Sequence, residues 1–399
     1  CRCTRTGVTM KELSSRTAGF TDSVIRRMTR ISNRYGAVNL SQGFPDFDPP
    51  EAVTDRLAQT AKEGPHQYAL TWGAQNFREA LAAKQEHFSG VRVDPEEEIV
   101  VTCGSTEAMM AAMLAVTNPG DKVIIFSPFY ENYGADTILA GAEPIYVALK
   151  PPSFSFHVGE LEQAFRQGAK ALILCNPSNP CGKVFSYGEL RIIADLAVKY
   201  DAYVITDEVY EHIVYEPCKH TYLSSLPGMS ERTIICSSLS KTYSITGWRL
   251  GYVIAAPHIA GRIKKVHDFL TVGAAAPLME AAVVGLAFPD EYYYELRRHY
   301  THMKDLFIGG LKDLGLTFTE PQGAYYVLVD VSEFGVRDDV RFCEWMAEKV
   351  GVGAVPGSSF FREEVHHLIR LHFAKRDDTL YEALNRLEGL KKKAESYRD

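Results

Sequence analysis

Short apolar runs alternate with stretches of helical periodicity through the middle of the chain. Runs at 99–103 (IVVTC), 122–126 (KVIIF), 144–149 (PIYVAL), 171–175 (ALILC), 203–206 (YVIT), 233–236 (TIIC) and 251–255 (GYVIA) have strand length and lie between turn signals. The segment after the first, GSTEAMMAAMLAV, has the composition of a good helix. Most of the other gaps also leave room for a helical crossover. The last run follows its predecessor too soon for one, so an antiparallel neighbour is expected there. The pattern predicts an α/β fold: a doubly wound, mostly parallel sheet of seven strands.

The two ends read differently. Residues 10–35 carry apolar positions at helical spacing, as an N-terminal arm would. The next stretch, VNLSQGFPDFDPP at 38–50, is too rich in Pro and Gly for a helix, and Gly43 permits close backbone approach. Past Pro289 the pattern predicts a long helix over 290–314, a strand at 324–331, a helix over 340–350, a strand at 368–373 and a terminal helix over 377–396. The expected organisation is an arm and part of a small domain at 10–49, a large domain at 50–289 and a smaller α+β domain at 290–399.

At 399 residues the chain exceeds one ordinary core, in line with that division. The net charge is −7 and no basic stripe carries interleaved aromatics, which argues against a nucleic-acid partner. No apolar run approaches the ~20 residues of a membrane span. Of eight cysteines, Cys103, Cys175 and Cys236 end apolar runs and read as small buried hydrophobes. No paired CxxC zinc pattern occurs, no disulfide framework is expected, and cytoplasmic residence is the default. The first nine residues, CRCTRTGVT, lack the apolar core of a signal peptide and are expected to be an extension outside the fold.

The candidate chemistry centres on SSLSKTYSITGWRLGY, residues 237–252. Lys241 falls just past a strand end among Ser238, Ser240 and Ser244, with Arg249 eight residues on. Such a lysine suits an amine nucleophile beside a bound anion; taken alone, a lysine at such a place is far more often a solvated loop residue. Its company changes the balance. Gly104-Ser105-Thr106, Tyr130, the stretch 176–182 (NPSNPCG), the stretch 207–210 (DEVY) and the lysine loop all follow strand ends. Open α/β sheets bind ligands along that edge.

Each group admits a chemical and a structural reading. Ser105 and Thr106 open a helix, where N–H groups bind phosphate or an ordinary N-cap sits. Arg249 and Ser238 would complete a phosphate cup. Asp207 ends a buried strand and needs a cation, a protonated pyridine nitrogen for example, or else a cap or ion-pair role. Tyr210 and Asn179 are placed to donate to a phenolate-like oxygen. Arg370, among apolar strand neighbours, suits two-pronged carboxylate binding or an internal salt bridge. Together these groups describe pyridoxal phosphate held as a Schiff base and acting on an amino acid. Competing motifs fail: there is no GxSxG, no P-loop at Gly182-Lys183, no HExxH and no metal site, and His366-His367 reads as a surface pair.

The motifs SLSKTYSITGWRLGY, NPSNPCG, DEVYE and VTCGSTEAM resemble those of the class I/II aminotransferases, fold-type I pyridoxal phosphate enzymes, in order and spacing. NLSQGFPDFDPP and SPFYENYGAD look most like the kynurenine, glutamine and methionine branch. The resemblance covers residue 10 to the C-terminus. It implies that Lys241 carries the cofactor and moves the proton at the substrate α-carbon. Asp207 would hold the ring nitrogen protonated, Tyr210 and Asn179 the ring oxygen, and Tyr130 the ring face. Ser105, Thr106, Ser238 and Arg249 would hold the phosphate, and Tyr68 that of a partner subunit. Arg370, Asn179 and the Gly43 backbone would bind the substrate carboxylate. A homodimer with shared active sites follows.

The implied activity is transfer of an amino group from a neutral, aromatic or sulfur-containing L-α-amino acid to a 2-oxo acid, by a ping-pong route. Three alternatives stay open: a cysteine-conjugate β-lyase, an aspartate aminotransferase, and a non-catalytic cofactor-binding regulator. A branch of aspartate enzymes carries lysine where this chain has Thr106, which weighs against strict aspartate preference. The stretch before Gly43 is short for the DNA-binding domain such regulators carry.

Overall fold

The computed structural model describes residues 11–20 and 22–398. The extension expected at residues 1–9 lies outside them. Helix α1 (Val24–Tyr35) starts where the Ser23 hydroxyl accepts from the Arg26 N–H and stops at Gly36 in the left-handed region. Among the described residues of the expected arm, only this part is a regular helix; a short 3₁₀ turn (Ser15–Thr17) precedes it. Strand β1 (Val38–Asn39) and helices α2 (Glu51–Glu63) and α3 (Gln75–Ser89) lead into the main sheet.

That sheet and its crossovers follow in order: β2 (Ile99–Thr102), α4 (Ser105–Val116), β3 (Lys122–Ser127), α5 (Asn132–Leu139), β4 (Glu143–Lys150), β5 (Ser155–Phe156), α6 (Val158–Arg166), β6 (Ala169–Cys175), α7 (Tyr187–Lys199), β7 (Tyr203–Asp207), β8 (Thr233–Ser238) and β9 (Gly251–Ile254). The spatial order is β2-β9-β8-β7-β6-β3-β4-β5. Strands β4, β3, β6, β7 and β8 run parallel, and β9 is antiparallel to both β2 and β8, as its short link requires. Seven of the eight strands are the apolar runs. The eighth, β5, turns back antiparallel on β4, and its two residues are too few to register as a run.

Both faces of the sheet are covered, which is why its strands are continuously apolar rather than alternating. On β3, Val123 and Ile125 face α4 and α5, while Ile124 and Phe126 face α6 and α7. Helices α8 (Pro257–Thr271) and α9 (Ala276–Leu286) complete the layers, α8 beside α4 and α9 against α2 and α3.

The C-terminal part contains α10 (Asp290–Asp313), β10 (Thr317–Phe318), β11 (Tyr326–Asp330), α11 (Asp339–Trp345), β12 (Val352–Gly353), β13 (Val355–Pro356), β14 (Leu368–His372), α12 (Asp377–Leu387) and α13 (Leu390–Ala394). An antiparallel sheet, β10-β11-β14-β13, packs with α10 and α12 around Tyr300, Phe307, Val327 and Leu371. Two expected helices are altered. The helix over 340–350 loosens into one π turn (Met346–Val350), and the terminal helix breaks at Glu388 and Gly389, where glycine is a poor helix former. Strand β1 pairs in parallel with β12, so the chain near Gly43 is held by the C-terminal part. No helix among the described residues is long and apolar enough to cross a membrane.

Candidate active site

A cavity of about 450 Å3 opens at the carboxyl ends of the parallel strands. Every site residue expected from sequence lines it except Tyr68: Gly43, Ser105, Thr106, Tyr130, Asn179, Asp207, Tyr210, Ser238, Lys241, Arg249 and Arg370. Tyr68 is 88% exposed, on the surface of this chain.

Lys241 sits in the turn between β8 and β9. Its Nζ donates to the Gly43 carbonyl at 3.2 Å and lies 5.9 and 5.8 Å from the ring centres of Tyr210 and Tyr325. Burial first, and then the cations of Arg249 and Arg370, lower its pKa to about 8. An amine so placed is substantially neutral, and therefore nucleophilic, in mildly alkaline solution.

Asp207 is the last residue of β7. Its Oδ2 accepts from the Tyr133 hydroxyl at 2.7 Å. Burial raises its pKa above the usual carboxylate range, against the pull of Tyr133, the Val209 N–H and Lys241. A cation in the cavity would relieve that cost.

At the other end, α4 is preceded by Gly104 at its N-cap, which has φ +85° and gives the helix no side-chain cap. The first N–H groups of α4 therefore face the cavity without a cap of that kind. A Cβ on Gly104 would collide with the Arg249 guanidinium, so only glycine lets that cation lie against the helix start. Arg249 is itself left-handed, and its Nη1 donates to the Thr246 carbonyl at 2.9 Å. Helix dipole, free N–H groups, the hydroxyls of Ser105, Thr106 and Ser238 and a guanidinium make a dianion cup.

Arg370 is buried on β14, 1% exposed. Its Nη1 donates to Asn179 Oδ1 and its Nη2 to the Ser41 carbonyl, both at 2.7 Å. The salt bridge that sequence left open is absent among the described residues; the fork is held by neutral acceptors and its charge stays available.

Among the further groups lining the cavity or its rim that sequence reading missed are Arg26 on α1, Phe44, Tyr133 and Tyr326. Tyr133 had a readable signal, since it lies three residues after Tyr130 at a helix start. Tyr326 was read as part of an apolar strand, although a tyrosine pair inside AYYVLVDV places hydroxyls where alternation would bury them.

Comparison with known proteins decides what this constellation belongs to. The family model described as aminotransferase class I and II matches residues 35–387. The chain belongs to the class I and II aminotransferases. The methionine aminotransferase of Escherichia coli K12 is 37% identical over 369 residues, covering 92% of this chain and 96% of the relative. Human kynurenine–oxoglutarate transaminase 1 is 34% identical, covering 88% and 92%. The solved structure of N-succinyldiaminopimelate aminotransferase from Mycobacterium tuberculosis superposes with a TM-score of 0.92 at 36% identity, covering 95% of this chain and all of that one.

The aminotransferase depends on pyridoxal phosphate, and the residues present fit that group. The cavity offers a dianion cup at one end, the Asp207 carboxylate, which makes no ion-pair contact among the described residues, at the other, and a half-buried amine between them.

Proposed function

We propose that the aminotransferase takes a neutral, aromatic or sulfur-containing L-α-amino acid as donor and a 2-oxo acid as acceptor, both in the one cavity. The observation carrying this is the buried Arg370 fork opening onto walls of Ile25, Phe44, Tyr130, Val209 and Tyr326. Arg370 and Asn179 hold the α-carboxylate common to donor and acceptor, so both half-reactions use one site in turn. Thr106 adds no charge for a second carboxylate.

When bound, pyridoxal phosphate supplies a sink for the electrons left at the substrate α-carbon. The chain does the rest. Ser105, Thr106, Ser238 and Arg249 hold the phosphate. Asp207, kept in place by Tyr133, keeps a proton on the ring nitrogen. Tyr210 and Asn179 donate to the ring oxygen, and Tyr130 covers the ring face. Lys241 Nζ takes the α-proton and returns it elsewhere in each half-reaction.

We also propose the division 10–49, 50–289 and 290–399, supported by the cluster around Tyr300 and Phe307, which is built mostly from residues past 290 and takes in Met28 and Leu40 of the arm, and by the β1–β12 pairing. A homodimer is proposed because Tyr68, Leu70, Phe269 and Val272 are exposed large hydrophobics, and burial against a second copy accounts for them. Cytoplasmic residence is supported by six free cysteines among the described residues.

An acidic donor is the second reading. It rests on Arg26, an exposed cation at the cavity rim able to meet a distal carboxylate. Single-turnover mixing with one amino acid at a time, without acceptor, separates the two. Methionine, phenylalanine, kynurenine or glutamine should convert the cofactor at least about tenfold faster than aspartate, releasing one 2-oxo acid per site. Aspartate reacting fastest would favour the Arg26 reading. Continuous release of pyruvate and ammonia from a cysteine conjugate would favour a β-lyase.

A further inference from the structure

Three tyrosines meet beside Lys241, and Tyr326 has only a wall role above. The Tyr325 hydroxyl donates to the Gly43 carbonyl at 2.8 Å, which uses its proton. The hydroxyls of Tyr210 and Tyr326 are 2.9 Å apart, with ring planes at 88°. Tyr326 is 3% exposed and its hydroxyl fills the space that a Cβ on Gly43 would need. Its ring also lies 4.3 Å from the Arg370 guanidinium carbon, with Phe360 at 4.7 Å. One side chain thus touches both the group assigned to the cofactor ring oxygen and the group assigned to the substrate carboxylate.

Counting donors fixes the direction of the tyrosine pair. A phenol has one proton. A phenolate-like ring oxygen can only accept, so Tyr210 must give it that proton. The bond between the two tyrosines then survives only with Tyr326 as donor. A hydroxyl that accepts one hydrogen bond is polarised into a better donor of the next.

We propose that Tyr326 is a positioning residue: its hydroxyl donates to Tyr210 and aims the Tyr210 proton at the cofactor ring oxygen, while its ring seats the Arg370 fork for the substrate carboxylate. This rests on the role given to Tyr210 above. A tyrosine present only for packing differs in one testable way: phenylalanine would fill the same volume and change nothing.

Strong donation to the ring oxygen withdraws electrons and makes the Lys241 nitrogen less basic. Weaker donation makes it more basic. The test is the absorbance titration of the cofactor-loaded protein against pH, without substrate, in the native protein, Y210F, Y326F and Y326L. Affinity for a saturated carboxylate, 3-phenylpropionate, is measured on the same samples. Y326F should raise the titration midpoint by about 0.5 pH unit or more, less than Y210F does, with carboxylate affinity within about twofold of native. Y326L should raise the midpoint and also weaken 3-phenylpropionate about threefold or more, through the lost ring face. A shift in Y210F with none in Y326F would overturn this inference and leave the Tyr210 role standing. No shift in either would overturn both. Native carboxylate affinity in Y326L would overturn the Arg370 half.

Discussion

What surrounds the Lys241 amine favours its neutral form. Burial and two guanidiniums hold it near pKa 8, so the neutral form gains about tenfold per pH unit below that value and saturates above it. The rate of cofactor attachment to the cofactor-free protein should follow that curve in stopped-flow absorbance. A rise continuing unchanged beyond pH 9 would mean that the amine is unperturbed. Lys241→Ala should abolish transamination without unfolding the chain, checked by activity together with thermal melting. Asp207→Asn should keep the cofactor yet lose most of the single-turnover rate, because a neutral amide does not stabilise a protonated ring nitrogen. Arg370→Lys keeps the charge and loses the fork held by Asn179 and Ser41. Amino acid affinity should fall about 10- to 100-fold, with little change for pyridoxal phosphate; equal affinities would make Arg370 a purely internal contact.

Elements bring these residues together, and the start of α4 shows how. Gly104 carries a positive φ and leaves room for Arg249, so Gly104→Ala strains the backbone and displaces the guanidinium at once. Cofactor affinity should drop about tenfold or more, measured by equilibrium dialysis; unchanged affinity would show that the cup does not depend on that approach. The apolar runs of the sheet and the ligand edge were legible in sequence because both faces are buried, so each strand announces itself. The polar residues after each strand were legible for the same reason: strand ends mark the edge. Strand β5 was not, being two residues long, nor was the break at Gly389 inside an otherwise periodic helix. Arg26 and Tyr326 were hidden because they reach the cavity from α1 and β11, elements whose approach to the sheet edge is a tertiary event with no local signature. The Arg370 signal was visible as an arginine in an apolar strand, but the choice between salt bridge and fork needed the positions of Asn179 and Ser41.

At the scale of the whole molecule, the surface of one chain leaves Tyr68 and Phe269 in water, at 88% and 91% exposure. A second copy would cover them and bring Tyr68 to the partner's phosphate. Sedimentation should therefore show a dimer. Mixing an inactive Tyr68 variant with Lys241→Ala and refolding should restore part of the activity, since one hybrid site then carries both native residues. Tyr68→Phe should loosen the cofactor by ~1–3 kcal/mol, the loss of one hydrogen bond to a charged acceptor. Fully active monomers would return Tyr68 to a plain surface role.

Transamination in this cavity requires that one amine, Lys241 Nζ, carry the cofactor. Borohydride reduction of the cofactor-loaded protein, followed by peptide mass mapping, shows which lysine does so. The cofactor's mass is expected on the peptide containing Lys241, at one per chain, and on no other lysine. Label on a different lysine, or a fully loaded protein with Lys241 unmodified, would contradict that assignment.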